Sequence, residues 1–158
     1  MITGHFLMTQ IPKAQTTRET SFGFLIQTLA RKFDGLMKTE LKKVDVDGKL
    51  FAGLMMLMEQ DGISQRQLGK RLNFPEYFTS RNIDALVQAG FVERRPDPDS
   101  RRSFLICLTD AGRTKAKTLP EVVRRVNAEV LADFSKSEQT QVIDLLQKAA
   151  RVGDYAAE

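Results

Sequence analysis

Residues 62–112 of this chain read GISQRQLGKRLNFPEYFTSRNIDALVQAGFVERRPDPDSRRSFLICLTDAG, and the local signals in this stretch decide the fold. Ser64 and Gln67 have the spacing of a capping box, in which each side chain satisfies a free backbone N–H at the start of a helix. Leu72 is the last apolar residue at helical spacing, so this helix is short and ends at about that position.

A second helix is predicted after a turn at Asn73 and Phe74. Pro75 suits its first position, where a backbone N–H would have no helical partner. Gly90 suits the position just beyond its end. Two short helices joined by a tight turn are typical of a helix-turn-helix unit, whose second helix reads DNA.

The segment after Gly90 has the pattern of a β-hairpin. Residues 91–95 are rich in aromatic and branched side chains, and 103–108 predict the returning strand. The two prolines and the acidic turn formers of 96–100 predict a loop between them. A hairpin directly after a helix-turn-helix is the wing of a winged helix, and Cys107 in its second strand is expected to be a small buried residue.

Long helices are predicted on both sides of this unit. From 21 to about 44, apolar residues recur at helical spacing and form a wide apolar surface. Such a surface at a chain end favours burial against a partner, although packing on its own domain is the alternative. Asp47 and Thr109 are predicted N-caps, Pro120 predicts a kink or a restart, and Ser135 opens a last helix.

The overall composition excludes several classes of protein. Of the 158 residues, 42% are hydrophobic and 28% charged, which is the balance of an ordinary soluble protein. No apolar run approaches the roughly 20 residues of a membrane helix, and the N-terminus has no signal-peptide pattern. We therefore expect a cytoplasmic protein without a membrane partner.

The residue types that support enzyme chemistry are scarce. The chain has one cysteine, Cys107, and one histidine, His5, in an unpatterned tail. They cannot supply the roughly four ligands of a zinc site, a disulfide or an oriented catalytic triad, and the scattered glycines form no phosphate loop. We predict no catalytic residue, no metal site and no cofactor.

Arginine is concentrated around the second short helix and the hairpin. Residues 62–109 carry eight basic and five acidic side chains, so most of the net charge of +4 lies in less than a third of the chain. The planar guanidinium group suits phosphates and base edges. Charge alone also fits a solvated face, but its position at the helix and the hairpin favours nucleic acid.

Three groups of residues are candidates for DNA contact. The helix at 75–90 should enter the major groove with Glu76, Tyr77, Thr79, Ser80, Arg81 and Asn82. It leaves Phe78, Ile83 and Leu86 for the core. The start of the preceding helix offers backbone N–H groups to a phosphate at Ser64, Gln65 and Arg66. The wing offers Arg94, Arg95, Asp99, Arg101 and Arg102; there Asp99 can orient Arg101, and the last two arginines can reach the minor groove.

These motifs resemble those of the MarR family of transcriptional regulators. The matching residues are Leu68-Gly69-Lys70-Arg71-Leu72, Arg81, Asp84, Leu86, Gly90-Phe91-Val92-Glu93-Arg94, Asp97-Pro98-Asp99-Ser100-Arg101-Arg102 and Leu108-Thr109-Asp110-Ala111-Gly112. The wing signature Asp-x-Arg followed at a fixed distance by Leu-Thr-x-x-Gly is fairly specific. The resemblance covers about residues 48–112.

The resemblance implies a homodimer that binds double-stranded DNA at a pseudo-palindromic operator, with half-sites about 10 bp apart. Family members typically repress nearby genes, and many release DNA when a small phenolic or anionic effector binds. The expected dimer interface contains Phe22, Ile26, Leu29, Val142, Leu145 and Leu146. Some members sense oxidants through a cysteine in the first helix, which this chain lacks.

The predicted fold class is mainly α with a small β-hairpin wing (α+β), in four segments. Residues 1–20 form a flexible tail and 21–47 an N-terminal dimerisation helix. Residues 48–108 form the winged helix-turn-helix lobe, and 109–158 the C-terminal dimerisation helices.

Two other functions compete with this interpretation. A winged helix can serve as a protein–protein interaction module, which would need no palindromic site and would tolerate loss of Arg101. A small-molecule-binding or catalytic domain would need titratable groups that converge in a cleft, and the sequence supplies no such set.

Overall fold

The computed structural model of the chain describes residues 13–150, with side chains from residue 17 onward except that of residue 101. It contains eight helices and three strands within that range. In chain order these are α1 Lys13–Thr20, α2 Phe22–Lys43, α3 Gly48–Glu59, β1 Ile63–Ser64, α4 Gln65–Leu72, α5 Glu76–Gln88, β2 Val92–Asp97, β3 Ser100–Leu108, α6 Asp110–Ala116, α7 Leu119–Val130 and α8 Lys136–Ala150. The predicted fold class, mainly helical with a wing, is confirmed.

The helices begin where the capping residues predict. Asp47 Oδ1 accepts a hydrogen bond from the Lys49 N–H at 3.0 Å, and Thr109 Oγ1 accepts one from the Gly112 N–H at 3.0 Å. The capping box of Ser64 is complete, because its side chain accepts from the third N–H of α4 while that residue's side chain accepts from the Ser64 N–H. Local hydrogen-bonding signals therefore determine these boundaries.

Pro75 lies one position earlier than predicted. It is the N-cap of α5 rather than its first helical residue, with φ −58° and an extended ψ of 152°. Its ring allows this geometry, and its carbonyl accepts the N–H groups of Phe78 and Thr79. At Pro120, where we predicted a kink or a restart, the structure has a restart, since α6 ends before it and α7 begins at Leu119.

Residues 13–20 form α1 where we predicted a flexible tail, and residues 1–12, including His5, lie outside the described residues. The segment KAQTTRET contains several good helix formers without an apolar period. A helix of this kind gives no amphipathic signal, so periodicity alone missed it.

The wing is longer than predicted and belongs to a three-stranded antiparallel sheet of order β1-β3-β2. Pro96 lies within β2, paired with Phe104, and the predicted loop shrinks to a turn at Pro98 and Asp99. Proline is tolerated there because β2 is an edge strand. We did not predict β1, which is only two residues long and pairs with Ile106 and Leu105 of β3.

One cluster of buried apolar side chains contains residues from every helix between α2 and α7 and from all three strands. Its fully buried side chains include Leu54, Leu57, Leu68, Ile83, Leu86, Ile106, Leu119, Val122 and Val126. Cys107 is also buried, as predicted, and burial raises the pKa of its thiol, with a further contribution from the nearby Asp61 carboxylate. Because the thiolate is the reactive form, this environment disfavours cysteine chemistry.

Gly112 allows α6 to approach the wing closely. A Cβ at this position would lie 1.9 Å from the carbonyl oxygen of Phe91, which is closer than any side chain can fit. The same carbonyl accepts the Thr109 N–H at 3.0 Å, and Thr109 Oγ1 donates to the Gly90 carbonyl at 2.7 Å. The glycine of the Leu-Thr-x-x-Gly motif therefore joins α6 to the start of β2.

The helices α2 and α8, called here the terminal helices, leave large apolar side chains exposed. Phe22 is 67% exposed and Leu145 is 63% exposed, and no residue of α8 is buried. The other exposed apolar residues on these helices are Phe24, Leu25, Leu29, Ile143 and Leu146.

Between Lys13 and Ala150, no helix has both the length and the apolar character needed to span a bilayer.

Candidate nucleic-acid interface

The start of α4, the first half of α5 and the wing line one broad groove. Its polar and charged lining includes Ser64, Gln65, Arg66, Lys70, Glu76, Arg94 and Arg102. Residues predicted from three separate sequence signals therefore lie around the same concave surface. Within the described residues, no group of three or more His, Cys, Asp or Glu side chains is arranged to hold a metal ion.

The first turn of α4 presents backbone donors to this groove. Ser64 Oγ accepts the N–H of Gln67 at 3.2 Å. The first N–H groups of a helix have no intrahelical partner, so those of Gln65 and Arg66 remain for an external acceptor. The positive end of the helix dipole adds to the attraction for an anion such as a phosphate.

The exposed face of α5 carries part of the predicted set. Glu76, Tyr77 and Arg81 are exposed and Ser80 is half-buried. Tyr77, Ser80 and Arg81 occupy positions i, i+3 and i+4, so they share one face of the helix.

Thr79 and Asn82, which we predicted to face DNA, are buried instead, with only 2% and 6% exposed. They lie on the same helix face as Ile83 and Leu86, at spacings of three and four residues. Thr79 Oγ1 satisfies its donor locally at the Pro75 carbonyl, 3.0 Å away. The prediction was wrong because polarity was taken to mean exposure.

Two glycines explain how these short polar side chains fit in the core. A Cβ on Gly69 of α4 would lie 2.7 Å from Thr79 Oγ1, and one on Gly53 of α3 would lie 2.8 Å from Asn82 Oδ1. Asn82 Nδ2 also donates to the Lys49 carbonyl, while its Oδ1 has no hydrogen-bond partner in the described part of the chain. Thr79 and Asn82 therefore pack α5 against α4 and α3.

Phe78, predicted as a core residue, is 44% exposed. Its ring lies edge-on against Phe74, with 4.8 Å between ring centroids, and against Tyr77 at 6.4 Å. It lies at the edge of the buried face of α5, where the helical period turns it partly outward.

The arginines of this surface fall into two classes. Arg94 of β2 pairs with Asp84 of α5 at 2.5 Å, and Arg95 pairs with Glu93 of its own strand at 2.5 Å. In contrast, Arg66, Arg81 and Arg102 are exposed and form no ion pair with any residue that the structure describes. The guanidinium groups of Arg66, Arg81 and Arg102 therefore have their full charge available to an anionic partner.

Asp97 organises the turn of the wing, a role that we did not predict. Its carboxylate accepts from Ser103 Oγ at 2.6 Å and from the Asp99 N–H at 3.0 Å. The Ser103 hydroxyl and then the Asp99 N–H hold the pKa of the Asp97 carboxyl below its usual value. An Asp before a Pro-Asp turn is a recognisable Asx-turn signal. The predicted contact of Asp99 with Arg101 lies outside the described residues, because nothing is described of the Arg101 side chain.

Asp61 links the base of the wing to α6, and sequence reasoning also missed it. Asp61 Oδ1 accepts from the Leu108 N–H at 2.7 Å and from the Gly62 N–H at 3.0 Å. Its other oxygen pairs with Arg113 of α6. These partners are up to 52 residues away in sequence, so no local pattern indicates them.

Comparisons with known proteins find transcriptional regulators that are similar to this chain. A sequence model described as the MarR family matches residues 52–103. The HTH-type transcriptional regulator BilQ of Clostridium symbiosum is 26% identical over 133 residues, which cover 84% of this chain and 92% of the relative. An HTH-type transcriptional repressor of Mycobacterium tuberculosis is 32% identical over 98 residues, covering 62% of this chain and 70% of the relative.

A solved protein–DNA complex also contains a protein chain that is similar in structure to this one. The crystal structure of a mutant MarR from Escherichia coli complexed with operator DNA has a TM-score of 0.74 at 25% identity. The match covers 84% of this chain and 96% of that one.

Proposed function

This chain belongs to the MarR family of transcriptional regulators, and from that premise we propose that it represses genes as a homodimer bound to a pseudo-palindromic operator. The observation that carries the proposal is the shared groove of α4, α5 and the wing, which the exposed Arg66 and Arg102 line. Arg81 is exposed on α5, and none of these three arginines has an ion-pair partner in the described chain. The similar E. coli protein in complex with operator DNA supports DNA over a protein partner for this surface.

Each element has a distinct part in this proposal. The N–H groups at Ser64, Gln65 and Arg66 hold a phosphate. Glu76, Tyr77, Ser80 and Arg81 of α5 face base edges in the major groove. Arg101 and Arg102 of the wing reach the adjacent minor groove.

Arg94 and Arg95 are already paired with carboxylates, so they contribute less directly to DNA binding. Because Arg94 is paired with Asp84 of α5, its main effect is to hold the wing against that helix. Asp99 lies at the turn between the two strands of the wing and helps to shape the tip that carries Arg101.

The terminal helices form the dimer in this proposal. Within the described residues, 21–47 and 109–150 supply the interface around the lobe of 48–108, with Phe22, Ile26, Leu29, Val142, Leu145 and Leu146 among its contacts. The end of the predicted C-terminal segment, 151–158, lies outside the described residues. The exposed apolar surface of α2 and α8 supports this assignment, since a monomer would leave it in water.

A small-molecule effector would bind between α2 and α7. An open groove of about 400 Å³ lies there beside Leu36, Glu40, Arg124 and Arg125, within the size range of small-ligand sites. Arg125 pairs with Glu40, and Arg124 pairs with Glu121. An anionic compound would compete with these carboxylates. In this proposal, phenolic or anionic compounds release DNA from the native protein and not from Arg125→Ala.

The test is fluorescence anisotropy of the full-length protein on DNA from upstream of its own gene, titrated against salt with an unrelated duplex as competitor. We expect tight binding that survives the competitor and falls steeply with salt, because phosphate contacts release counterions. If the upstream DNA binds no better than the competitor, selection from randomised duplexes decides the matter. A selection that enriches no sequence would overturn the proposal in favour of the protein-interaction alternative.

The proposal also implies a cytoplasmic location, where operator DNA is accessible.

A further inference from the structure

Three aromatic side chains form an exposed cluster at the start of α5: Phe74, Tyr77 and Phe78, called here the aromatic cluster. Tyr77 is 68% exposed, Phe78 is partly exposed and Phe74 is half-buried. Exposed apolar patches on a folded chain mark contact surfaces. The lobe does not need the Tyr77 ring for its core, so the ring is available to a partner.

The cluster holds the Tyr77 ring in a defined orientation. Phe74 packs edge-on against Phe78 with an interplanar angle of 86°, and Phe78 packs edge-on against Tyr77 with an angle of 83°. Edge-to-face contacts at these distances are favourable. A ring that is already supported loses little side-chain entropy when it is buried by a partner.

The position of the cluster identifies the partner. Tyr77 shares its helix face with Ser80 and Arg81, which the proposed function directs into the major groove. The apolar surfaces of α2 and α8 belong to other elements. The partner that meets the Tyr77 ring is therefore the floor of the groove beside the bases contacted by Arg81.

The chemistry of the major groove then indicates which group on the base edges the Tyr77 ring contacts. Its base edges present hydrogen-bond donors and acceptors, and the one methyl group that they present is the C5-methyl group of thymine. Apart from the hydroxyl at its tip, the Tyr77 ring offers no donor or acceptor in its plane, and it gains by covering an apolar group. A cytosine or guanine edge at the same place would lose water without a compensating hydrogen bond.

We propose that Tyr77, supported by Phe78 and Phe74, contacts thymine C5-methyl groups and makes this protein select thymine at one position or more in each operator half-site. The inference rests on the proposed function, since it names the bases that the same surface reads.

The test begins with duplexes selected from a randomised library by the full-length protein. The selected duplex is then synthesised again with deoxyuridine in place of thymine, which removes only the methyl groups. For the native protein, we expect Kd to rise about fourfold for each contacted methyl group, from the usual value of burying one such group. The Tyr77→Ser variant should bind both duplexes with nearly equal Kd.

Two further variants separate the ring from other effects. Tyr77→Phe retains the ring and should retain the preference for the methylated duplex. Val87→Ser removes an exposed apolar residue at the other end of α5, and it should respond to deoxyuridine as the native protein does. Neither Tyr77 nor Val87 belongs to the buried core cluster or packs against it, so both variants should fold.

The outcomes distinguish the inference from the proposed function. A selection that yields no sequence overturns both. A selected site without thymine, or equal native affinity for the two duplexes, overturns only the inference. An equal loss of affinity on deoxyuridine for the native protein and Tyr77→Ser also overturns it, because the effect would then come from the DNA itself. If Tyr77→Phe behaves like Tyr77→Ser, the hydroxyl and not the ring makes the contact, and the inference fails.

Discussion

The winged lobe and the terminal helices of this chain bury their apolar side chains to very different extents. In the lobe, Leu54, Leu57 and Leu68 are fully covered by their own chain. In α2 and α8, phenylalanine and leucine side chains of similar size remain largely in contact with water. The lobe therefore carries its own hydrophobic stabilisation, whereas α2 and α8 leave apolar surface that we propose a second protomer covers.

Both regions contain long-range and local polar contacts. In the lobe, Asp61 connects segments that are distant in sequence, whereas Arg95 pairs with the nearby Glu93. On α7, Arg125 pairs with the distant Glu40, whereas the ion pair of Arg124 with Glu121 links residues within one helix turn. Long-range contacts fix the geometry of a DNA-reading surface, and local ones add little stability at the surface.

The largest effect should follow from truncating the core of the lobe. Leu57→Ala leaves a cavity in a fully buried site and should lower the free energy of unfolding by about 2–5 kcal/mol. Urea denaturation at a low and a high protein concentration measures it. Leu145→Ala is the matched control, and its smaller loss should appear mainly as a changed dependence on concentration. An equal effect of the two variants would remove the distinction between the regions.

The next effect concerns the proposed dimer. Leu145→Asp, or Leu29→Asp, places a charge in the apolar surface and should raise the dimer dissociation constant more than about a hundredfold, or about 3 kcal/mol. Sedimentation measures the change. The control Val87→Asp introduces the same charge on the lobe and should leave the dimer intact. Should Leu145→Asp and Leu29→Asp still sediment as dimers, our assignment of these faces is wrong.

A third change compares arginines of the two regions. Arg81→Ala removes an unpaired guanidinium from the proposed DNA surface and should weaken operator binding by about 1–3 kcal/mol. Arg124→Ala removes one that is paired with Glu121 on α7, and its effect on DNA affinity should be negligible. Anisotropy titrations at one salt concentration measure both variants. Equal losses would mean that general charge, rather than position, controls binding.

The smallest effect is electrostatic. Ser103→Ala removes the main cause of the lowered Asp97 pKa, so the pKa should rise toward its usual value in an NMR titration. A lowered pKa in the folded state stabilises the fold above the usual carboxyl pKa, and this contribution is lost as the pH falls through the folded value. The pKa of Glu121, lowered chiefly by Arg124, is the internal control and should not move. An unchanged Asp97 pKa would show that the backbone N–H alone holds the turn.

The sequence predictions were accurate where the interactions join residues that are close in the chain, and inaccurate where they join distant ones. Capping boxes, prolines and the hairpin pattern act within a few residues, and they predicted the helix boundaries near Asp47, Ser64 and Thr109. Thr79 and Asn82 were assigned to the wrong face of α5, because their burial depends on Gly69 and Gly53 of other helices. Similarly, Asp61 has no local signature, since its partners come from β3 and α6.

The sequence by itself therefore determined the order of the elements from α2 to α8 except for β1, the winged helix-turn-helix class and the concentration of arginine near α5 and the wing. These features follow from local hydrogen bonding, periodicity and charge, which a linear pattern records. Only the tertiary structure decided which arginines are already paired, which polar residues are buried and which aromatic rings are exposed. Those properties depend on the close approach of helices that are far apart in the chain, and a linear pattern does not record that distance.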